Sequence, residues 1–351
     1  MPFAHSQFGP VGDGVVVRTP AKLNLYLELL GKRADGYHEI ETVMVAVSCF
    51  DTLRIERARS HSAVRLVSHW WPSDRIWRES LGDHAEELLT IADDDSNLIH
   101  RAVMATKSAF EIPDGYDIVV RKRIPAGAGM GGASSDAAAA ILAVTTLAGI
   151  GPTDPAVGRV AASIGSDVPF FLGVDATRDR SDERSVPSAV LATGRGERLT
   201  EVAVARPLWF VVAYPRGGLS TATVYAHATI PTEPGRVTNL LDALTSAVPG
   251  ALNSSLLNRL SHPAEDLSPA IGELLSLMRS NGLAPAQMTG SGSACFHPCF
   301  DRVTAERKAA RLRRDWARTG TAGRVWVMSS VDAKPRLKAY RVTPPGAPDD
   351  L

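Results

Sequence analysis

The segment Pro125-Ala-Gly-Ala-Gly-Met-Gly-Gly-Ala-Ser-Ser135 joins a strand-like stretch to an alanine-rich helical stretch, and it indicates the fold more clearly than any other part of the chain. Its four glycines allow the backbone to take positive φ and to approach a ligand closely. The N–H groups and the dipole at the start of the following helix favour an anion. Lys122 and Arg123 precede the segment and add positive charge. The pattern predicts a phosphate-binding loop.

Other interpretations of this loop fit less well. A Walker P-loop needs a lysine after its last glycine, whereas Ala133 follows Gly132 here. The G-x-G-x-x-G spacing also occurs in dinucleotide-binding folds, which expect an acidic residue after a second strand about 20 positions later. Asp154 has nearly that spacing, but it lies in a GPTDP turn after a helix. A turn that binds nothing would not require four glycines and two serines at one helix start.

Outward from the loop, strand and helix patterns mix without a strict β-α-β rhythm, which favours an α+β fold over a doubly wound sheet. Alternating apolar residues predict strands, and apolar residues at helical spacing predict helices. Strands are predicted over 15–30, 41–57, 116–121, 206–214 and 324–328, and helices over 98–110, 134–149, 155–164, 270–280 and 302–318. Residues 69–92 and 176–190 are predicted to be insertions, the first with one short helix.

Composition excludes several classes of protein. The 351 residues are 44% hydrophobic, which is enough for a core, and 38 basic residues balance 38 acidic ones. This balance offers no electrostatic footprint for nucleic acid or a membrane surface. No run approaches the ~18 apolar residues of a membrane span, and the N-terminus lacks a secretory pattern. We therefore expect a cytoplasmic protein, a monomer or weak homodimer, without nucleic-acid or membrane partners.

The three cysteines point to neither a disulfide framework nor a zinc site. Cys295 and Cys299 are four residues apart and could form one pair of zinc ligands. Cys49 is the only cysteine left, and a single cysteine cannot form the second pair that a zinc site needs. We predict buried or idle thiols in a reducing compartment.

Four further segments hold candidate site residues. Lys22 lies in the apolar strand pattern PAKLNLYL at 20–27, and the polar segment GKRADGYHE follows at 31–39. Asp167 lies in IGSDVPFFL at 164–172, and TGSGSACF occupies 289–296. Taken alone, Lys22 could be an edge lysine with its head in solvent, and Asp167 could cap a turn. The segment 289–296 could be a plain hairpin turn.

Taken together, these segments resemble the GHMP kinases, a superfamily of small-molecule kinases. The loop at 125–135 is similar to the superfamily's second motif, with Met130 in place of the usual leucine. The segments 20–27 and 31–39 resemble the first motif of the diphosphocytidyl-methylerythritol kinases, and 164–172 and 289–296 resemble further motifs. The resemblance spans about residues 15–328. It implies a two-domain α+β fold in which a mixed sheet carries the phosphate loop and a ferredoxin-like α/β sandwich follows.

The resemblance also implies domain bounds. An N-terminal ATP-binding domain would cover 15–200 and a C-terminal domain 201–335. Residues 1–14 would form a flexible N-terminus and 336–351 a disordered tail.

The reaction implied is transfer of the γ-phosphate of ATP to the 2-hydroxyl of the methylerythritol unit of a cytidine diphosphate conjugate. Asp167 takes the position of the general base, and Lys22 lies beside it. Mg²⁺ is expected with ATP, and Ser135 is the one ligand named for it. On the ATP side the resemblance implies Asn97, Lys122, Pro125, Ala126, Gly127, Ala128, Gly129, Met130, Gly131, Gly132, Ala133, Ser134 and Ser135. On the substrate side it implies Asn24, Tyr37, His38, Thr221, Tyr225, Gly290, Ser291 and Gly292.

Three rival functions remain open on sequence alone. Another GHMP kinase would act on a mevalonate-type or sugar alcohol and would not require the cytidylyl group. A nucleotide sensor without catalysis would need neither Lys22 nor Asp167, although both are present. A dinucleotide oxidoreductase would bind NAD(H).

Overall fold

The computed structural model describes residues 13–340, apart from 59–61, 82–88, 90, 93, 152, 174–188, 216, 247, 249, 322 and 332–335. Residues 1–12 of the predicted flexible N-terminus at 1–14, most of the predicted insertion at 176–190, and the tail after Tyr340 therefore lie outside the described residues. None of the described helices has the length and apolarity that a membrane crossing requires.

An eight-stranded mixed sheet forms the first half of the molecule. Its strands are β1 (Gly14–Lys32), β2 (His38–Ala58), β3 (Val64–Trp70), β4 (Gly115–Lys122), β5 (Ala189–Gly194), β6 (Arg198–Glu201), β8 (Leu257–Asn258) and β12 (Arg336–Tyr340). The main path runs β12-β1-β2-β4-β3, with β5 beside β2, β6 beside β5, and β8 beside β1. The pairs β1–β8 and β3–β4 are parallel, and the other pairs are antiparallel.

Strand β1 is buried along most of its length because both of its faces are covered. Val15 and Val17 pack against the helical layer, whereas Leu23 and Leu25 pack toward the second half of the molecule. Its register against β2 shifts between Pro20 and Ala21 and again between Asn24 and Tyr26. These irregularities bracket Lys22 and Asn24, and bulges commonly re-aim side chains next to active sites.

The helices of the first half are α1 (Asp74–Leu81), α2 (Leu98–Ala109), α3 (Gly132–Leu147), α4 (Pro155–Ile164) and α5 (Val168–Leu172). Helix α3 is buried along most of its length, and Ala137 to Ala140 are fully buried. Small side chains let this helix lie close to β1 and β2, with α2, α4 and α5 packed around it. This packing fixes the start of α3, where the glycine-rich loop ends.

A four-stranded antiparallel sheet forms the second half. It contains β7 (Trp209–Pro215), β9 (Gln287–Met288), β10 (Cys295–Cys299) and β11 (Gly323–Ser329), in the order β11-β7-β10-β9. The helices that follow β7 and β10 and cover this sheet are α9 (Pro269–Ser280) and α10 (Arg302–Ala317). The strand and helix order is that of a ferredoxin-like unit. The remaining helices are α6 (Thr221–His227), α7 (Thr238–Thr245), α8 (Ser261–Leu267) and a 3₁₀ turn at Ala251–Ser254.

The predicted α+β class, with a mixed sheet followed by a ferredoxin-like unit, is confirmed. The tail differs from its prediction, because Arg336–Tyr340 form β12 against Gly14–Arg18. Edge backbone groups of β1 accept this partner from the far end of the chain, which local composition does not reveal. The change of sheet falls between Glu201 and Trp209, but β8 and β12 return to the first sheet. The division at 200 and 201 therefore remains a prediction.

The three cysteines are free thiols, buried as predicted. Burial raises the pKa of Cys49 to about 12 and that of Cys299 to about 11. Both thiols therefore stay protonated and unreactive near neutral pH.

Candidate active site

A cavity of about 1280 Å³ is lined by residues of both halves of the molecule. Its walls are the glycine-rich loop, the middle of β1, the turn after Ile164, the start of α6 and the turn at Gly290 and Ser291. This volume exceeds that of a typical drug-sized pocket, so the cavity has room for two ligands at once.

The phosphate loop presents backbone donors to this cavity. Gly127, Gly129 and Gly131 have φ values of 60°, 70° and 72°, a conformation that favours glycine. Gly131 is the N-cap of α3 and offers no side-chain cap. The N–H groups of the first turn are therefore free to bind an anion, as expected at a helix N-terminus.

The turn at 289–293 holds the phosphate loop in place. Ser293 N–H donates to Gly127 O at 3.0 Å, and Ala294 N–H donates to Ala128 O at 3.1 Å. A Cβ added to Gly129 would lie only 2.1 Å from Thr289 O, so no other residue fits there without displacing the turn. Gly290 and Ser291 line the cavity, whereas Gly292 does not.

Lys22 and Asp167 form the central ion pair of the cavity. Lys22 Nζ lies 3.5 Å from Asp167 Oδ2, with 5% of the lysine side chain and 30% of the aspartate side chain exposed. Lys22 Nζ also donates to Asn24 Oδ1, and Asn24 Nδ2 donates to Thr42 Oγ1 at 2.8 Å. The ammonium group is thus held in one place, beside a carboxylate that faces the cavity.

Backbone bonds join all three motifs at this point. Lys22 N–H donates to Met130 O at 3.0 Å, and Asn24 N–H donates to Thr289 Oγ1 at 2.9 Å. The strand that carries the lysine, the phosphate loop and the 289–293 turn therefore cannot move independently. Such support keeps reacting groups in a fixed geometry.

Lys122 is held between two buried carboxylates below the loop. Its Nζ lies 2.5 Å from Asp136 Oδ2 and also pairs with Asp51 Oδ2. Although burial favours the neutral amine, the charges of Asp136 and Asp51 hold the pKa of Lys122 above its usual range. Burial, together with the charge of Asp51, raises the pKa of Asp136 to about 8 in spite of Lys122. Lys122 therefore supports the loop from beneath, within a neutralised cluster.

Sequence reasoning missed both carboxylates of this cluster. Asp51 is fully buried at the irregular middle of β2, and Asp136 is 2% exposed in the first turn of α3. Asp136 Oδ1 is buried without a hydrogen-bond partner. An aspartate inside an otherwise apolar strand was the available signal for Asp51, because buried carboxylates need partners.

The side chain of Asn97, a predicted ATP-binding residue, is committed to other hydrogen bonds. Asn97 lines the cavity, but its Oδ1 accepts from Ile99 N–H at 2.8 Å and its Nδ2 donates to Ala92 O at 2.6 Å. It caps α2, and its side chain has little capacity left.

The position of Ser135 differs from its prediction. Its hydroxyl is fully buried and donates to Pro20 O at 2.6 Å, with Thr19 Oγ1 also 2.6 Å away. Ser135 does not line the cavity, so the structure contradicts its prediction as a metal and phosphate ligand. Ser134 does line the cavity, next to the turn at Gly165.

An aromatic cluster lies in the same cavity. The His38 and Tyr225 rings are 5.4 Å apart at a tilt of 39°, and Tyr37 is 57% exposed. Burial and the charge of Asp167 raise the pKa of Tyr225, whereas burial and the charge of Lys32 lower the pKa of His38. Both rings are therefore neutral near pH 7.

Two cations near this cluster were not predicted. The Arg195 guanidinium carbon lies 5.0 Å from the centre of the Tyr37 ring, and both Arg195 and Lys32 line the cavity. Arg195 lies in the GRGE turn between β5 and β6, which has no motif character. Thr221 Oγ1 and Ser291 Oγ, both predicted, are 2.8 Å apart and also line the cavity.

The structure thus brings most of the predicted residues to one cavity. They are Lys22, Asn24, Tyr37, His38, Asn97, Lys122, Pro125, Ala126, Gly127, Ala128, Gly129, Met130, Gly131, Gly132, Ala133, Ser134, Asp167, Thr221, Tyr225, Gly290 and Ser291. Ser135 and Gly292 lie outside it. Within the described ranges, no group of three or more His, Cys, Asp or Glu residues is placed to hold a metal ion.

Comparisons with known proteins agree with this architecture. The family models for the GHMP kinases N terminal domain and the GHMP kinases C terminal match residues 97–173 and 239–318. The 4-diphosphocytidyl-2-C-methyl-D-erythritol kinase of Rhodopirellula baltica is 42% identical over 302 residues, which cover 84% of this chain and 89% of the relative. The enzyme of the same name from Mycolicibacterium gilvum is 33% identical over 334 residues, or 92% of each chain.

Solved structures show the same fold. A crystal structure of 4-(cytidine 5'-diphospho)-2C-methyl-D-erythritol kinase is 31% identical, with a TM-score of 0.64 over 90% of this chain and 99% of the other. A homoserine kinase from Cytophaga hutchinsonii has a TM-score of 0.67 over 94% and 99% of the two chains. Because that second protein is only 16% identical, it supports the fold alone.

Proposed function

We propose that this chain, which belongs to the 4-diphosphocytidyl-2-C-methyl-D-erythritol kinase family of the GHMP kinases, transfers the γ-phosphate of ATP to the 2-hydroxyl of 4-diphosphocytidyl-2-C-methyl-D-erythritol with the help of Lys22 and Asp167. The chain is an ATP-dependent kinase, and the proposal concerns the acceptor alcohol and the residues that serve it. The observation that carries it is the position of Lys22 and Asp167, 3.5 Å apart in a cavity that also holds the phosphate loop and the aromatic cluster.

Asp167 acts as the general base in this proposal. Its carboxylate accepts the proton of the 2-hydroxyl as that oxygen bonds to the γ-phosphorus of ATP, and the bond from phosphorus to the β,γ-bridging oxygen breaks to release ADP. The Lys22 ammonium group donates hydrogen bonds to the oxygens of the phosphoryl group as it is transferred. Phosphoryl transfer depends mainly on positioning and charge stabilisation, and the bonds that hold Lys22 to Asn24 and Met130 supply that positioning.

The phosphates of ATP would rest on the N–H groups at the start of α3. Mg²⁺ usually keeps several waters and binds substrate phosphates with one or two protein oxygens. The Ser134 hydroxyl fits such a role, because it faces the cavity beside the phosphate loop. When bound, the ion would neutralise charge on the phosphates.

The cytidylyl end of the substrate would lie against Tyr37, His38 and Tyr225. These rings offer stacking faces at the end of the cavity that also holds Lys32 and Arg195. Neither Lys32 nor Arg195 has a carboxylate within ion-pair distance among the described residues, so both are free to face the diphosphate. This arrangement favours the cytidylyl substrate over a plain sugar or mevalonate-type alcohol.

A coupled ADP-release assay with ATP, Mg²⁺ and 4-diphosphocytidyl-2-C-methyl-D-erythritol tests the proposal. We expect substrate-dependent turnover that falls by about 10²–10⁴-fold in Asp167→Asn, since a positioned base contributes about that much. ATP affinity should stay within about twofold of wild type by equilibrium binding.

Each alternative has its own outcome. Equal turnover of methylerythritol without the cytidylyl group would move the substrate to another GHMP class. Turnover that survives in Asp167→Asn would remove the general base from the proposal. ATP binding without any turnover would indicate a sensor.

A further inference from the structure

A second pocket of about 240 Å³ lies away from the catalytic cavity and shares no lining residue with it. It is bordered by the middle of β2, the tryptophan-rich segment that begins at Trp71, and β11, and it opens to the surface. Its lining residues are Ser48, Cys49, Phe50, Trp71, Pro72, Trp77, Arg123, Arg324, Trp326, Val327 and Met328. We call it the tryptophan pocket.

Two arginines give this pocket a positive charge that no lining residue balances. Arg123 and Arg324 are its charged lining residues, and neither has an ion-pair partner among the residues that the structure describes. Arg324 Nη1 is buried without a hydrogen-bond partner, and burial lowers the pKa of this guanidinium. A buried donor of this kind is costly unless an acceptor satisfies it, so the pocket is suited to an anion.

The walls of the pocket are aromatic and held in place. The Arg324 guanidinium carbon lies 4.3 Å from the centre of the Trp77 ring and 5.9 Å from that of Trp326. The Arg123 guanidinium carbon lies 5.2 Å from the Trp71 ring. Trp77 Nε1 donates to the backbone carbonyl of Trp71 at 2.8 Å, which fixes the Trp77 indole to the segment that carries Trp71. Stacking on the rings orients the arginines but supplies no acceptor in the plane of their N–H groups.

We propose that the tryptophan pocket binds a small aromatic carboxylate. The carboxylate would accept from Arg324 Nη1, with Arg123 as the second cation, and the ring would pack against the indole rings that line the pocket. At about 30 Å³ for each water-sized group the pocket holds roughly eight such groups, which matches a benzoate and excludes a nucleotide. The pocket is therefore a ligand site separate from the one that performs phosphoryl transfer.

The test compares benzoate with benzamide, its neutral counterpart of the same shape. Isothermal titration on the full chain should detect saturable binding of benzoate at one site, and benzamide should bind at least about tenfold more weakly if one charge-assisted bond is lost. Equal binding of the two probes would show an apolar pocket without anion recognition and would overturn the proposal. Absence of saturable benzoate binding would overturn it as well.

Arg324→Met removes the charge and keeps most of the side-chain length. Benzoate affinity should fall at least about tenfold, while the melting temperature changes little and the kcat of the kinase reaction stays at its wild-type value, because Arg324 lies outside the catalytic cavity and a methionine can still pack on the Trp77 ring. Arg206→Met is the matched control, since Arg206 also stacks on an aromatic ring, at 4.5 Å from Phe300, but lies outside the pocket. Unchanged affinity in Arg324→Met, or an equal loss in both variants, would rule out the assignment. If Arg324→Met does not fold, Arg123→Met replaces it, with the same expected loss of benzoate binding.

Discussion

Asp136 is the residue whose environment most disagrees with its charge. Burial and the neighbouring Asp51 raise its pKa to about 8 from a usual value of 3.8, and the Lys122 ammonium compensates only in part. The folded state therefore binds a proton that the unfolded state has released, over the range from about pH 4 to about pH 8. The free energy of unfolding should fall as the pH rises through this range, because the unfolded state binds fewer protons there.

Replacing Asp136 with Asn keeps an oxygen for Lys122 and removes the titration. Asp136→Asn should therefore gain stability relative to wild type as the pH is raised from about 5 to about 9, measured as the difference in melting temperature at each pH. Arg302→Gln, which breaks an exposed ion pair with Glu306, provides a pH-insensitive reference. A difference that stays constant across this range would mean that Asp136 is ionised throughout.

Arg195 supports a second prediction at the scale of single residues. If it faces the diphosphate of the substrate, Arg195→Ala should raise the KM for that substrate about tenfold, the value of one charge-assisted hydrogen bond. The kcat and the KM for ATP should change little, because Arg195 is not part of the phosphate loop. Arg198→Ala is the matched control, since this exposed arginine on β6 does not line the cavity. A fall in kcat with an unchanged KM would place Arg195 elsewhere in the reaction.

Single residues differ in how well the sequence reveals them. Lys22 and Asp167 stand in motifs, so their meeting in one cavity could be predicted. The choice between Ser134 and Ser135 could not, because successive helix positions point about 100° apart and a motif does not say which side faces the ligand. Asp136 and Arg195 act through tertiary contacts that no local pattern marks, whereas Asp51 had one signal, its place inside an otherwise apolar strand.

At the scale of elements, the phosphate loop depends on its contact with the 289–293 turn. Gly129 combines positive φ with a close approach, since a Cβ there would lie 2.1 Å from Thr289 O. Gly129→Ala should therefore displace the loop and lower kcat/KM by at least about tenfold, because small misplacements of reacting groups are costly. The readout is the ADP-release assay together with the melting temperature.

Gly149→Ala separates the two causes. Gly149 also has positive φ, at 74°, but a Cβ there would meet nothing within 4 Å. This variant should lose only the strain of a left-handed residue, about 1–2 kcal/mol, and keep its activity. Similar activity losses in the two variants would mean that strain alone, and not the approach to Thr289, governs the loop.

Elements differ in predictability for a related reason. Helix α3 could be predicted from the sequence, because it is a local run of alanines and branched aliphatic residues that is followed by Gly149. Strand β12 has no such signal, because it exists only through pairing with β1, more than 300 residues away in the chain. Pairing partners of this kind are decided by which edges the rest of the fold leaves open.

At the scale of the whole molecule, an ion pair ties β1 to the residue that follows β8, 231 positions later in the chain. Glu28 on β1 is fully buried and accepts from Arg259 Nε at 2.7 Å and Nη2 at 2.6 Å. Gly235 N–H donates to the same carboxylate at 2.9 Å. Although burial alone would raise it, the pKa of Glu28 is held below its usual value by Arg259 and by the N–H groups of Gly235 and Leu29.

Removing the arginine should therefore leave a charged carboxylate in the interior without its partner. Arg259→Met is expected to lower the free energy of unfolding by about 2–3 kcal/mol, as a buried charge that loses its partner does, measured by chemical denaturation. Arg302→Met, which breaks an exposed pair with Glu306 on α10, should cost no more than about 0.5 kcal/mol. Adding Glu28→Gln to Arg259→Met should recover part of the lost free energy of unfolding, because the unpaired buried charge is then removed. A double variant no more stable than Arg259→Met alone would mean that the arginine stabilises this junction by packing, and that its charge is not what ties β1 to the segment after β8.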